Sequence, residues 1–112
     1  MANGIIGSQM HPISYSTFDT LNGYFDECPT SSSSGAYTFP EDGWLYIYAT
    51  RGSAEGYTLI VSFDGVDRFS FPAYDAYAVV AIAIPVMKGQ VLRFRTDSTS
   101  RTWTLREVRF MR

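Results

Sequence analysis

The sequence has too few cysteines and histidines for several common classes of protein. Cys28 is the only cysteine among the 112 residues, so no disulfide can form within the chain, and a disulfide-stapled secreted domain is excluded. We therefore expect the chain to fold in a reducing compartment. His11 is the only histidine, and one histidine with one cysteine cannot supply the converging ligands of a zinc site.

Residue patterns typical of catalysis are also missing. A serine, threonine or cysteine nucleophile needs a base that a third group orients, and His11, which precedes Pro12, is the one natural candidate. The neighbouring carboxylates Glu41 and Asp42 lie in the sequence Pro-Glu-Asp-Gly, which is typical of a turn. We therefore expect no enzymatic activity, no metal and no cofactor.

Charge is scarce, at 18% of residues, and the net charge is −2. An acidic domain argues against a nucleic-acid partner, whose usual binding surface is a basic patch. Six of the nine basic residues do lie in the last twenty positions, where we interpret them as solvated strand faces and ion pairs: Arg93, Arg95, Arg101, Arg106, Arg109 and Arg112. The longest apolar run, residues 77–86, is too short to cross a bilayer, so we expect no membrane insertion.

Helical periodicity is absent, and the pattern that is present belongs to β-strands. From residue 36 onward, turn signals recur at strand-length intervals, which predicts an all-β fold of the antiparallel sandwich or barrel type. The count of seven or eight strands suits an antiparallel β-sandwich, either a jelly roll or a related one. Asp64-Gly65 predicts a tight hairpin, and Gly89 predicts a turn that needs positive φ. In the last strand the apolar alternation slips by one residue, which predicts a β-bulge near Arg106 and Glu107.

The run 77–86 is apolar at successive positions, so it offers hydrophobic surface on both faces of a strand. The segment 44–50 shares this property, because large rings alternate there with aliphatic residues. In so short a chain, the second face is best covered by another copy of the same chain. The residues expected at this contact between copies are Trp44, Tyr46, Tyr48, Tyr77, Val79, Ala81 and Ala83.

Three segments in order resemble one family: YTFPEDGWLYI at 37–47, IPVMKGQVL at 84–92 and the terminal VRFMR at 108–112. Together they resemble the trimeric C1q/tumour-necrosis-factor-like jelly rolls, most of all those at the heads or tips of bacteriophage fibres. The resemblance covers residues 36–112 and implies a homotrimer without a cofactor. It also implies a place on the virion surface, after synthesis in the host cytoplasm, and contact with other virion proteins or with a host glycan or protein.

Residues 1–35 lack regular alternation, except for a predicted short strand from Ile13 to Phe18. We interpret this segment as an arm that attaches residues 36–112 to the particle. The apolar residues that need a partner surface there are Ile5, Ile6, Ile13, Phe18 and Tyr24.

Loops at the ends of a sandwich commonly carry recognition residues, and a ring, a carboxylate and a guanidinium suit a sugar. The expected receptor or sugar contacts are Tyr57, Tyr74, Asp75 and Arg101. The aromatic content also fits a second class of protein, a monomeric carbohydrate-binding module with an exposed aromatic platform. The mass in solution distinguishes this alternative from the trimer.

Overall fold

The computed structural model describes residues 18–32, 35–51, 58–72, 78–97 and 103–112. Eight strands form the fold: β1 (Phe18–Thr20), β2 (Tyr37–Thr38), β3 (Gly43–Arg51), β4 (Leu59–Phe63), β5 (Val66–Phe71), β6 (Val79–Val86), β7 (Val91–Thr96) and β8 (Trp103–Met111). A single 3₁₀ turn, Asn22–Tyr24, follows β1 within the described residues.

The strands form two antiparallel sheets of four, with the orders β1-β8-β3-β6 (sheet I) and β2-β7-β4-β5 (sheet II). Each strand of the first half lies beside its mirror strand of the second half, β1 with β8, β2 with β7, β3 with β6 and β4 with β5. This is the strand order of a jelly roll. The predicted all-β, antiparallel sandwich is confirmed.

The core lies between the sheets and is made of the inward residues of both. Leu45, Ile47 and Ala49 of β3 face it, and each is fully buried. Phe39, Phe94 and Trp103 are among its largest buried side chains. Alternation along the strands therefore produces one shared hydrophobic interior.

The predicted turns are present. Asp64 and Gly65 join β4 to β5 with positive φ at both residues, as a tight two-residue hairpin requires. Gly89 has a φ of 89° in the turn between β6 and β7. The predicted bulge is also confirmed, because Tyr48 pairs with Glu107 and Ala49 with Leu105, which leaves Arg106 as the extra residue.

Residues 21–25, which follow β1, pack against β8 beside this bulge. Leu21 and Phe25 are buried in the core, and the Leu21 amide donates to the Val108 carbonyl at 2.7 Å. Residues 18–25 therefore contribute to the sandwich, and the division of the chain at residue 35 stays a prediction. The attachment role of residues 1–35 stays a prediction, and residues 1–17 lie outside the described ranges.

Candidate interaction surface

The outward face of β3 is a row of three aromatic rings. Because its aliphatic residues point into the core, Trp44, Tyr46 and Tyr48 point away from it. Trp44 is 40% exposed and the two tyrosines are partly exposed. The rings follow one another at intervals of about 7 Å along the strand.

The outward face of β6 carries small side chains. Val80, Ile84 and Val86 are buried on its inner side, whereas Val79 is 56% exposed on the other side. Ala81, Ala83 and Pro85 are exposed as well. This strand thus presents an uncharged, low-relief surface to solvent.

Antiparallel register places the large residues of β3 beside the small residues of β6. Trp44 lies opposite Pro85, Tyr46 opposite Ala83, Tyr48 opposite Ala81, and Thr50 opposite Val79. Residues opposite one another in a ladder share a face of the sheet. The two strands therefore form one continuous surface, called here the aromatic–alanine face and defined by Trp44, Tyr46, Tyr48, Val79, Ala81, Ala83 and Pro85.

Among the described residues, the charged side chains of sheet I that lie beside the aromatic–alanine face are on β8 and on its neighbour β1. Arg109 lies opposite Tyr46, yet its guanidinium forms an ion pair with Glu107 and lies 4.3 Å from the centre of the Phe18 ring. Arg106 donates to the Thr50 hydroxyl at 3.1 Å. These long side chains are engaged beside the aromatic–alanine face and leave its tyrosines partly exposed.

Near the Trp44 end of the aromatic–alanine face, Arg112 connects three segments of the chain. Its guanidinium donates to Asp19 and to Glu41, each at 2.7 Å, and lies 5.0 Å from the centre of the Phe110 ring. Because the guanidinium donates hydrogen bonds to the carboxylates of Asp19 and Glu41, the pKa of Arg112 is raised above its ordinary value. β1, the turn before β3 and the end of β8 are thereby held together.

The outer face of sheet II is covered by charge. Ile60 and Ser62 point outward from β4, yet each is only 8% exposed. Arg95 of β7 reaches Asp67 of β5 at 2.6 Å, and β4 lies between those two strands. The ion pair therefore spans β4 and shields its outward residues.

Most of the predicted interface residues come together. Trp44, Tyr46, Tyr48, Val79, Ala81 and Ala83 share one face, and Tyr77 lies outside the described residues. Pro85 was missed, although a proline inside an apolar strand indicates an edge strand and could have been used to find it. The role of this face in a trimer stays a prediction.

Most of the residues predicted to contact the receptor or the particle lie outside the described residues. Tyr57, Tyr74, Asp75 and Arg101 lie outside the described residues, as do Ile5, Ile6 and Ile13. Phe18 is half-buried in β1 beneath Arg109. Tyr24 is 54% exposed, and its ring lies edge-on to Tyr37 at 4.8 Å.

An open cleft of about 440 Å³ lies beside the bulge and is lined by Asn22, Gly23, Glu27, Thr104, Leu105 and Arg106. The Asn22 amide is already used there, because it donates to the Leu105 carbonyl and accepts from the Val108 amide. Across the described ranges, no group of three or more acidic, histidine or cysteine residues could hold a metal ion. Nor is any helix in those ranges long and apolar enough to cross a membrane.

Comparison with known proteins finds no match: no family model, no curated protein and no solved structure resembles this chain closely enough to be significant.

Proposed function

We propose that this chain is a non-enzymatic protein of the bacteriophage virion surface, acting as a fibre tip, head fibre or decoration, and that it assembles as a homotrimer. The observation that carries the proposal is the aromatic–alanine face. It combines three rings with exposed Val79, Ala81, Ala83 and Pro85, and it holds no charged residue.

An uncharged face of this kind suits contact with protein. Aromatic residues are enriched at the cores of interfaces, and charged residues are depleted there. Ala81 and Ala83 have side chains short enough for a neighbouring backbone to approach closely. A face of the same chain is the simplest partner, because an uncharged surface meets its copy without repulsion.

The virion role rests on the resemblance of residues 36–112 to trimeric phage fibre heads. A jelly-roll strand order is compatible with that family. In this proposal Ile5, Ile6 and their neighbours attach the trimer to the particle. In the same proposal Tyr57, Tyr74, Asp75 and Arg101 contact the host surface. Tyr74→Ala combined with Arg101→Ala should therefore reduce adsorption and leave the trimer intact.

The mass in solution tests the assembly. Light scattering after gel filtration should give about three times the chain mass of 12.6 kDa at micromolar concentration. A mass equal to one chain would overturn the trimer.

The virion role needs a separate test with particles of the encoding phage. A chain lacking residues 2–12 should remain a trimer and should be absent from purified particles. Incorporation at the level of the full chain would overturn the attachment role.

A monomeric carbohydrate-binding module is the second candidate, and the row of Trp44, Tyr46 and Tyr48 favours it. Rings spaced along one strand can stack on successive sugars of a linear glycan. A glycan array probed with the wild type and with Tyr48→Ala tests this function. Binding by a monomer that Tyr48→Ala abolishes would replace the trimer hypothesis.

A further inference from the structure

Strand β6 is an edge of sheet I whose protection against pairing is confined to Pro85, near the end of the strand. Edge strands are commonly kept from pairing by shortness, charge, proline or bulges. β1 and β2 have three and two residues, and β5 carries Asp67 and Arg68, the latter as the extra residue at a register shift. β6 has eight residues without a charge, and among the described strands it pairs only with β3.

Beside this edge, an apolar groove opens between the two sheets. This open groove has a volume of about 300 Å³ and is lined by four apolar residues and two polar ones: Phe63, Phe69, Ile84, Pro85, Arg68 and Gln90. A strand added to β6 would extend sheet I over this groove. Its inward side chains would enter the groove, and its outward ones would lie beside Ala81 and Ala83.

We propose that the segment 13–17 of a neighbouring copy adds to β6 as a further strand. The segment is uncharged, like β6, and alternates Ile13 and Tyr15 with Ser14 and Ser16. Ile13 and Tyr15 would fill the groove, while the serines continue the aromatic–alanine face. The added strand would pair with the backbone groups of β6 that no described strand occupies, and it would bury apolar side chains.

The donor must be another copy because of where the chain enters β1. Phe18 lies in one row with Met111, Trp44 and Pro85, so β1 and a strand beyond β6 are four strand spacings apart, about 19 Å. Thr17 is one residue from Phe18, and consecutive Cα atoms are about 3.8 Å apart. One chain therefore cannot place Phe18 in β1 and residues 13–17 on its own β6.

This inference rests on the homo-oligomer of the proposed function and specifies one of its contacts. Disulfide trapping can detect the contact. In a Cys28→Ser background, a chain with Ser14→Cys and one tag is co-expressed with a chain carrying Ala83→Cys and a second tag. Directly opposite residues of neighbouring strands are close enough for a disulfide.

Mild oxidation should give a linked pair with both tags, either with Ala83→Cys or, for a register shifted by two residues, with Ala81→Cys. Thr50→Cys is the matched control. It lies on β3, two spacings or about 10 Å from the added strand, which is too far for a disulfide.

The outcomes separate the two proposals. If the mass is that of a trimer and no linked pair forms at position 81 or 83, segment 13–17 does not add to β6 of a neighbour, and the trimer proposal is unaffected. A single-chain mass overturns both. A further control is one chain that carries both Ser14→Cys and Ala83→Cys. If its disulfide forms within the chain and not between chains, the segment does not come from a neighbour and the proposal is overturned. A mixed-tag pair that Tyr15→Pro abolishes supports it, since proline lacks the amide for pairing.

Discussion

The two outer faces of the sandwich meet the surroundings in different ways. On sheet II, Arg95 and Asp67 join across β4, so the outward Ile60 is 8% exposed. On sheet I, Arg109 lies opposite Tyr46 but forms its contacts with Glu107 and Phe18 instead. Long charged side chains therefore cover β4 on sheet II, whereas on sheet I they cover Phe18 and leave the apolar residues of β3 and β6 uncovered.

This difference indicates the use of each face. A face whose apolar residues lie under an ion pair is already adapted to water. Val79 remains 56% exposed beside two alanines on the other face, and we propose that this face contacts a protein or ligand surface. Sheet I is thus the side where assembly is expected, and substitutions matched between the two faces can test that expectation.

The largest effect is expected from Ala81→Glu on sheet I. In a threefold contact through the aromatic–alanine face, three carboxylates would enter a dry interface at a cost of several kcal/mol. The variant should therefore be a monomer by light scattering at concentrations where the wild type is a trimer.

Ser70→Glu is the matched control on the other face. Ser70 is exposed on β5 and lies opposite Ile60. A glutamate there meets solvent and Arg95, so the mass should not change. Equal masses for wild type, Ala81→Glu and Ser70→Glu would show that neither face assembles the chain.

A smaller effect is expected from Asn22→Ala, which tests how sheet I is fastened. The Asn22 side chain donates to the Leu105 carbonyl at 3.2 Å and accepts from the Val108 amide at 3.1 Å, on either side of the bulge. Removing it leaves partly buried backbone groups without a partner, which should lower the free energy of unfolding by about 1 to 3 kcal/mol.

Urea unfolding measures this change. Gly23→Ala is the control in the same turn, since a Cβ there would have no atom within 4 Å. A loss for Gly23→Ala equal to that for Asn22→Ala would assign the effect to the turn and not to the bulge.

The parts of the fold that were predicted depend on local pattern. Alternation identifies the strands, Asp64-Gly65 specifies a hairpin by its own backbone preference, and the slipped alternation near Arg106 predicts the bulge. The burial of Leu21 and Phe25 in the core was not predicted, because they do not belong to a segment with regular alternation of apolar and polar residues. Their burial depends on contacts with β8 and with Phe94, about 70 or more positions away.

The site shows the same division. Two-sided apolar strands predicted the aromatic–alanine face, because each residue's side of the sheet follows from its position in the strand. The cover on sheet II could not be predicted, since Arg95 and Asp67 meet only once β4 lies between their strands. Pairing across a sheet depends on strand order, which local pattern does not encode.

Arg95→Ala removes the ion pair that covers β4, so the apolar residue Ile60 on sheet II should become exposed, as the apolar residues of β6 are on sheet I. Both partners of the ion pair are partly exposed, at 40% and 47%, so after solvent screening its loss should cost about 1 kcal/mol or less. The trimer should persist, and Ile60 should become accessible to a hydrophobic dye. Unchanged dye binding would mean that Arg95 does not shield Ile60.

The smallest effect is expected at Tyr37, a partly buried tyrosine of β2 that packs against the core. Tyr37 lies opposite the buried Leu92, and burial, assisted by the Asp19 carboxylate, raises the pKa of its hydroxyl above the ordinary 10.0. The folded chain therefore holds this proton to higher pH than the unfolded chain does. The resulting stabilisation is complete below pH 10.0 and is lost as the pH rises through the raised value. Tyr37→Phe should flatten the decline of unfolding free energy above that pH, and an identical pH dependence in both proteins would contradict this role.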